Sequence, residues 1–416
     1  MKNLFPLLVA VLLWLPFSCA SESTTKIKRG SWRATIQTKG GALPFELEIV
    51  PNADSTTYTV YAQNGSERLR LDTATLQGDS IRIPMAIFES EILAKVTDNT
   101  MQGVWRKRRT GQDYTSVPFT AQYGVTYRFV PSAQAVKPTN HSFSGKWATT
   151  FRSENDSSFA VGVFEQQGTH LTGTFLTSTG DYRYLAGDAV GDSLRLSCFD
   201  GTHAYLFKAA RQSDGTLKGA FWAGASGYET WTARSDPKAE LPDATKLTYL
   251  KPGFKTVSFS FPDVNGKPVS LNDERFKNKV VIVQILGSWC PNCMDETNFL
   301  SPWYKKNKSR GVEVVGLAYE KSADLKESAP KLQRMIDRFQ IDYPIALAGT
   351  NNKAEASKTL PMLNRIIGFP TTILIDKRGN VRQIHTGFSG PGTGKYYDEF
   401  TDDFNRLVDK LLAETM

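Results

Sequence analysis

Short runs of alternating apolar and polar residues fill the chain between about residues 30 and 234. The runs include "FELEIV", "TYTVYA", "SIRIPM" and "SLRLSC", and Gly, Asn, Asp and Ser separate them. Successive side chains of a strand point to opposite faces, so this alternation indicates antiparallel strands with one buried face and one wet face. We therefore predict an all-β region over this part of the chain.

The β region repeats itself. Three pairs of motifs recur in the same order with offsets of 113 to 117 residues. They are "GSW" and "GKW" (Trp32 and Trp147), "GDSIRI" and "GDSLRL" (starting at Gly78 and Gly191), and "MQGVW" and "LKGAFW" (ending at Trp105 and Trp222). Chance matches would not keep this register, so we infer an internal duplication, with a first repeat over residues 30–130 and a second over residues 142–235.

Each repeat contains seven to nine candidate strands, which are enough for a small barrel or a sandwich. An early Gly-x-Trp and a late strand ending in Trp give each repeat a resemblance to calycin-type barrels such as lipocalins. The tryptophans are candidate core residues, because large aromatics fill barrel ends, and ligand contacts are the alternative. A Pro-containing segment, "VPSAQAVKPTNHS", joins the repeats, and residues 236–253 form a predicted linker out of the second repeat.

After residue 253 the pattern changes to continuous apolar runs separated by helix-like segments. "VVIVQIL" (Val280 to Leu286) is typical of a strand buried on both faces, and "GVEVVGLAYE" and "YPIALA" follow it. We expect a short helix near residues 354–364. A closing helix over residues 395–412 places five apolar side chains on one stripe: Phe400, Phe404, Leu407, Val408 and Leu411. We predict an α/β domain over residues 254–416.

Two of the four cysteines lie in "WCPNC", between the strand "VVIVQIL" and a helix-like segment. This position places Cys290 at a helix N-terminus, where unpaired N–H groups and the helix dipole favour thiolate over thiol. Pro291 suits the first helical position because its missing N–H would have no partner there. Cys290 is therefore the candidate nucleophile. Cys293, three residues on at the same helical face, is the candidate resolving thiol.

A zinc site and a purely structural disulfide are the alternatives for this cysteine pair. Zinc would need two further Cys or His ligands, and the four histidines show no paired spacing. A disulfide between cysteines three positions apart constrains little of the unfolded chain. Cys198 lies in the strand-like "LRLSCFD" and is interpreted as a small core residue. We predict neither a metal nor a cofactor.

The motif "WCPNC", followed far downstream by "GFPTTILIDKRGNV", resembles the thioredoxin fold, and the downstream hairpin resembles the TlpA/ResA branch of exported thioredoxin-like proteins. The resemblance implies that Pro370 is a cis-proline beside the CxxC motif. It implies that Glu296 is a buried acid that takes the proton of Cys293, a role consistent with Gln284 standing where thioredoxins carry a buried Asp. An exposed Glu296 in the first helical turn is the alternative. The implied substrate groove consists of Trp289, Pro291, Phe369 and Thr371.

The first 19 residues, "MKNLFPLLVAVLLWLPFSC", combine one Lys with an apolar stretch too short to span a bilayer, which is typical of a signal peptide. "LPFSC" resembles a bacterial lipobox and would make Cys19 a lipidation site. Ordinary cleavage at a small-x-small site is the alternative. Residues 20–29 are then a polar tether. We predict an exported chain on the periplasmic side of the cell envelope, attached to a membrane through the lipid.

Composition and charge narrow the classes of partner that the chain is expected to bind. The net charge of +8, from 50 basic and 42 acidic residues, is too diffuse to indicate nucleic acid, and "RKRR" at residues 106–109 is interpreted as an exposed hairpin face. Two functions remain. The first is a thiol:disulfide oxidoreductase, which we favour as a reductase, acting on protein thiols and disulfides and supplied by a membrane electron-donor protein. The second is a ligand- or partner-binding β region with an accessory redox domain.

Overall fold

The computed structural model describes residues 26–54, 56–109, 113–131 and 141–415. The predicted signal peptide, Cys19 and the first part of the tether lie outside the described residues, as does most of the segment that joins the two repeats. None of the helices among the described residues combines the length and apolarity that a membrane span requires.

The first repeat is a closed antiparallel barrel. Its strands are β1 (Gly30–Thr38), β2 (Gly41–Pro51), β3 (Thr57–Asn64), β4 (Glu67–Arg70), β5 (Ala74–Gln77), β6 (Ser80–Met85), β7 (Ser90–Thr97), β8 (Thr100–Arg108) and β9 (Tyr114–Tyr123). The strand order is β2-β1-β9-β8-β7-β6-β5-β3-β4, and β2 also pairs with β3, which closes the ring and leaves β4 as a short extension. A 3₁₀ turn, Ala86–Phe88, connects β6 to β7.

The second repeat has the same topology. Its strands are β10 (Gly145–Arg152), β11 (Ser157–Gln167), β12 (His170–Thr177), β13 (Gly180–Asp181), β14 (Leu185–Val190), β15 (Ser193–Phe199), β16 (Ala204–Arg211), β17 (Leu217–Ala223) and β18 (Gly227–Ser235). Its strand order matches that of the first repeat position by position, and β11 closes the ring by pairing with β12. The predicted duplicated, barrel-like architecture is confirmed.

Two shared motifs have a physical explanation in both barrels. Trp32 donates from Nε1 to the carbonyl of Lys28 at 3.0 Å, and Trp147 donates from Nε1 to the carbonyl of Phe143 at 2.9 Å. Each tryptophan is buried and hydrogen-bonds four residues back, where the chain enters the barrel. The glycine of the late motif is needed at Gly103 because a Cβ there would collide with the backbone of the neighbouring strand.

Aromatic side chains fill the interior of the second barrel. Phe207 stacks on Phe221 with 4.4 Å between ring centroids, and Phe175 and Trp231 pack beside them. Such side-chain filling is typical of small barrels. Of the motif tryptophans, Trp32, Trp105 and Trp147 are buried, which favours the core interpretation for them, whereas Trp222 is only partly buried.

The C-terminal part is an α/β domain around a five-stranded sheet. Its elements are β19 (Ser260–Pro262), β20 (Pro268–Ser270), β21 (Val280–Leu286), α1 (Pro291–Asn307), β22 (Val312–Glu320), α2 (Leu325–Phe339), β23 (Ile345–Thr350), α3 (Lys353–Thr359), β24 (Thr371–Ile375), β25 (Val381–Thr386) and α4 (Lys395–Ala413). The sheet order is β23-β22-β21-β24-β25, with β21 parallel to β22 and antiparallel to β24.

Helices α4 and α3 can be compared with the helices that the sequence predicts near the end of this domain. Helix α4 covers the sheet with Phe404, Val408 and Leu411 buried, as its apolar stripe predicts. Helix α3 ends at Thr359, earlier than the predicted residue 364. Pro361 explains the difference, because proline has no N–H to continue the helical hydrogen bonds.

Residues 236–253, which composition predicts to be a linker, lie along the C-terminal domain. The N–H of Thr386 donates to the carbonyl of Ala244 at 3.0 Å, and Thr386 Oγ1 donates to Thr248 Oγ1 at 3.0 Å. Leu250 forms an isolated antiparallel bridge with Leu363. The segment therefore extends the α/β domain on its N-terminal side.

Candidate active site

The CxxC motif lies where the buried central strand meets a helix. Every residue of β21 is buried, and the chain turns at residues 287–289 before α1 begins at Pro291. Cys290 is the N-cap residue of α1, and its Sγ accepts a hydrogen bond from the N–H of Cys293 at 3.3 Å. An N-cap sulfur in this position receives both an N–H bond and the positive end of the helix dipole.

The two cysteines form a disulfide. Their Cα atoms are 5.2 Å apart. Cys290 is 6% exposed and Cys293 is fully buried. Cys290 is therefore the more exposed residue of the pair.

The segment before β24 forms the opposite wall of the site. The Phe369–Pro370 peptide bond is cis, and Cys290 Sγ lies 3.6 Å from the carbonyl oxygen of Phe369. Trp289 packs edge-on against Phe369, with 5.7 Å between the ring centroids, and donates from Nε1 to the carbonyl of Tyr319 at 2.8 Å. The structure therefore brings the Phe369–Pro370 segment against the sulfur of Cys290, and Trp289 against Phe369.

The four predicted groove residues differ in exposure. Trp289 is half-buried beside the disulfide, while Pro291 and Phe369 are buried. Thr371 is fully buried, and its Oγ1 donates to the carbonyl of Gly368 at 2.9 Å. Because Thr371 supports the loop from beneath, its assignment as a groove residue is replaced by a supporting role.

Glu296 lies in the interior of the C-terminal domain, between α1 and strands β21 and β24. It is 2% exposed, so the exposed alternative does not hold. Thr372 Oγ1 donates to Glu296 Oε1 at 2.5 Å, and Gln284 Nε2 donates to Glu296 Oε2 at 2.8 Å. Burial raises the pKa of Glu296 to about 7, against the opposing effect of these two hydrogen bonds. The carboxyl group can therefore hold or release a proton near neutral pH.

Sequence reasoning missed a second buried acid, Glu320. Its Oε1 accepts the N–H of Ser288 at 2.7 Å, and its Oε2 accepts the hydroxyl of Ser288 at 2.8 Å. Burial raises the pKa of Glu320. Ser288 is two residues before Cys290, so Glu320 fixes the turn that presents the nucleophile. The available signal was an acidic residue ending the apolar run "GVEVVGLAYE".

In the part of the chain that the structure describes, no group of three or more Cys, His, Asp or Glu side chains could hold a metal ion. Cys198, in β15, is fully buried inside the second barrel. Burial raises the pKa of the Cys198 thiol well above its ordinary value, which keeps the thiol protonated.

Comparison with known proteins agrees with this geometry. A protein-family model described as Redoxin matches residues 239–399. The thiol-disulfide oxidoreductase ResA of Bacillus thuringiensis subsp. konkukian is 30% identical over 139 residues, which cover 33% of this chain and 72% of that protein. ResA of Bacillus subtilis is 28% identical over 138 residues, covering 33% of this chain and 69% of that protein.

A solved structure is also similar. The thioredoxin-family thiol:disulfide interchange protein of Chlorobium tepidum is 28% identical, covers 38% of this chain and 96% of its own, and superposes with a TM-score of 0.30. The Redoxin match ends at residue 399 and begins after both barrels, so the calycin resemblance of the barrels gains no support from it. The sequence relationship to ResA and the disulfide at the start of α1 lead to one conclusion: the chain belongs to the TlpA/ResA branch of the thioredoxin superfamily and is a thiol-disulfide oxidoreductase.

Proposed function

We propose that the chain is an exported reductase, which transfers two electrons from the Cys290–Cys293 dithiol to disulfides of protein substrates. The observation that carries the proposal is the N-cap position of Cys290, where the N–H of Cys293 reaches its Sγ. A sulfur stabilised as thiolate in this way is a nucleophile at neutral pH.

The reaction begins from the reduced pair. The Cys290 thiolate attacks one sulfur of the substrate disulfide, a mixed disulfide forms, and the other substrate sulfur leaves as a thiolate. Cys293 then attacks the Cys290 sulfur, and the second substrate sulfur leaves. The substrate gains two electrons and two protons, and the chain is left with the Cys290–Cys293 disulfide.

Glu296 is assigned to the proton of Cys293. The Cys293 thiol must lose its proton before it attacks, and a carboxylate with a pKa of about 7 is well matched to accept it. Glu296 is three residues after Cys293 on α1, so the two side chains share one helical face.

The cysteine roles are tested by single substitutions. Cys290→Ser should abolish disulfide reduction because the nucleophile is gone. Cys293→Ser should instead accumulate mixed disulfides, which are detected as higher-mass species on non-reducing gels. Equal behaviour of the two variants would contradict the assigned order of attack.

The direction of electron flow is tested by the equilibrium potential of the cysteine pair in graded dithiothreitol and glutathione buffers. A value near ~−270 mV, the thioredoxin end of the scale, supports a reductase that needs a membrane electron-donor protein. A value near ~−120 mV would make the chain an oxidant and overturn the proposed direction.

Export and anchoring are proposed from the first 19 residues, with Cys19 as the lipidated residue. A single acyl group binds membranes weakly, whereas multiple acylation gives stable attachment. Cys19→Ser should move the chain from the membrane fraction to the soluble periplasmic fraction, as followed by immunoblotting of fractionated cells. Unchanged membrane association of this variant would contradict the anchor.

A further inference from the structure

Both barrels contact the redox site, and the first does so through the 3₁₀ turn between β6 and β7. Ile87 belongs to the same buried cluster as Cys290, within the core of the C-terminal domain. Ile87 and Phe88 line a cavity of about 530 Å³ together with Pro291, and a smaller one of about 100 Å³ together with Trp289. The turn therefore lies close to Trp289 and Pro291, the two residues that flank Cys290.

The second barrel reaches the site through the hairpin between β12 and β13. A Cβ on Gly180 would collide with the side chain of Asn292, which stands between the two cysteines. A Cβ on Gly368 would collide with the side chain of Thr179. The hairpin is thus in contact with both walls of the site, the CxxC dipeptide and the loop that carries the cis-proline. We call the 3₁₀ turn and residues 178–183 the cap.

Polar contacts hold the hairpin part of the cap in place. Arg183 forms an ion pair with Asp295, two residues after Cys293. The carboxylate of Asp181 accepts the N–H of Gly390 at 2.8 Å. Both contacts join the second barrel directly to elements beside the disulfide.

The first barrel is held by ion pairs to α2 and to the residue after β22. Arg338 pairs with Asp72 at 2.5 Å, and Asp72 in turn accepts the N–H of Ala86 at 2.6 Å. Glu89, just after the 3₁₀ turn, lies 3.3 Å from the ammonium of Lys331 and 3.7 Å from that of Lys321. Partly exposed ion pairs of this kind form and separate readily, unlike a large apolar interface.

One buried group opposes the seated cap. Asn292 Oδ1 has no hydrogen-bond partner, although it is buried against the hairpin. An unpaired buried acceptor destabilises the arrangement that buries it. Partly exposed ion pairs therefore hold the first barrel's part of the cap beside the apolar contact of Ile87. The hairpin part is held by the buried Arg183 and carries one unfavourable contact where it meets the CxxC dipeptide.

We propose that the cap selects the disulfide substrates of this oxidoreductase by size. With the cap seated, Cys290 exchanges with small disulfides and with disulfides in extended segments that fit the cavity beside Pro291. A disulfide on the surface of a compact protein reacts only in the fraction of molecules whose cap has lifted. The inference rests on the proposed thiol–disulfide exchange at Cys290 and names the substrate class of that same site.

The test compares two substrates on the reduced full chain. The small probe is 2-hydroxyethyl disulfide, the compact probe is insulin, and the second-order rate for each is followed by acid quenching and thiol alkylation. Arg338→Glu places two acids face to face and should lift the first barrel's part of the cap. Adding Asp72→Arg to this variant reverses the pair and should restore most of the wild-type behaviour.

A second variant acts on the hairpin. Thr179→Arg puts a large side chain against Gly368 and should hold the hairpin off the loop, whereas Thr179→Ser keeps a small side chain and is the matched control. Both lifted variants should raise the ratio of the insulin rate to the small-disulfide rate by about tenfold or more, because that rate scales with the open fraction. Their small-disulfide rates should stay within about twofold of wild type, since the cap does not exclude that probe.

The outcomes separate the two levels of the proposal. If wild type and both lifted variants reduce insulin and the small disulfide in the same ratio, the cap is not a filter, while the exchange chemistry stands. If reduced wild type exchanges with neither probe, the proposed function itself fails, and the size filter fails with it.

Discussion

Glu296 is the residue whose protonation most directly links stability to pH. Burial holds its pKa at about 7 in the folded chain, above the ordinary value of 4.5. The folded state therefore keeps this proton over a pH range in which the unfolded state has lost it. The corresponding stabilisation is fully present below pH 4.5 and is lost as the pH rises through 7.

Glu296→Gln should remove this part of the pH dependence. Between pH 5 and pH 8 the free energy of unfolding of wild type should fall relative to that of the variant by on the order of 3 kcal/mol. Urea titrations of both proteins at the two pH values measure the difference. Parallel changes in the two proteins would mean that Glu296 titrates normally.

For single residues, the sequence predicts those that carry the redox chemistry better than it predicts the buried residues that hydrogen-bond to them. Cys290 and Cys293 are predictable because helix N-termini stabilise thiolates, and Glu296 is predictable from a family resemblance. Glu320 and Thr372 contribute by hydrogen-bonding Ser288 and Glu296. Nothing in a single sequence distinguishes such buried partners from ordinary strand residues, because their role depends on which strands become neighbours.

Among the elements, the duplicated barrels offer a matched pair of tryptophans. Trp147 donates to the carbonyl of Phe143, which is fully buried, whereas Trp32 donates to the carbonyl of Lys28, which is exposed. Removing the indole N–H of Trp147 leaves the buried carbonyl of Phe143 without this partner. At Trp32, water can take the place of the indole at the carbonyl of the exposed Lys28.

Trp147→Phe should therefore cost more than Trp32→Phe, although both changes leave similar cavities. We expect the difference in the free energy of unfolding to be roughly 1–3 kcal/mol. Chemical denaturation of the two variants beside wild type measures it. Equal losses would show that the buried carbonyl of Phe143 finds another donor.

Element types follow from the periodicity more reliably than element ends. Alternation of period two predicts the barrel strands, because each barrel has one packed face and one wet face. The end of α3 at Thr359 depends on a single proline two residues later. The closing pairs β2–β3 and β11–β12 could not be predicted, since closure depends on strand tilt and register along the whole sheet.

For the whole molecule, Arg183 joins all three folded parts. Its guanidinium lies 2.5 Å from Glu67 of the first barrel and 3.5 Å from Asp200 of the second, and it contacts Asp295 of the C-terminal domain. Burial lowers the pKa of Arg183, but the nearby carboxylates of Glu67, Asp200 and Asp181 more than offset that effect and raise the pKa above its ordinary value. The charge is thus retained in the interior.

Arg183→Met should be strongly destabilising, because it leaves three acids without their common cation. We expect a loss of about 3–5 kcal/mol in the free energy of unfolding. Arg68→Met is the control: Arg68 pairs with Glu48 while about half exposed, and its loss should destabilise the chain far less. Urea denaturation of the two variants measures both losses of stability. Similar shifts of the two urea midpoints would contradict the bridging role of Arg183.

Sequence patterns predict least about how the two barrels and the C-terminal domain pack against one another. The hairpin "TSTGD" has the composition of any exposed turn, and Thr179 and Gly180 carry no signal that they lie against a redox site. Their position follows from the packing of complete domains. Folding alone brings "WCPNC" against a loop more than a hundred residues earlier.

The duplication has a consequence for how this chain can evolve. The two barrels arose as equivalent copies, yet they touch the disulfide from different directions, one through the β6–β7 turn and the other through the β12–β13 hairpin. Neither copy can substitute for its twin. Deleting either barrel would remove one of these two contacts beside the disulfide, so the second copy is no longer a spare of the first.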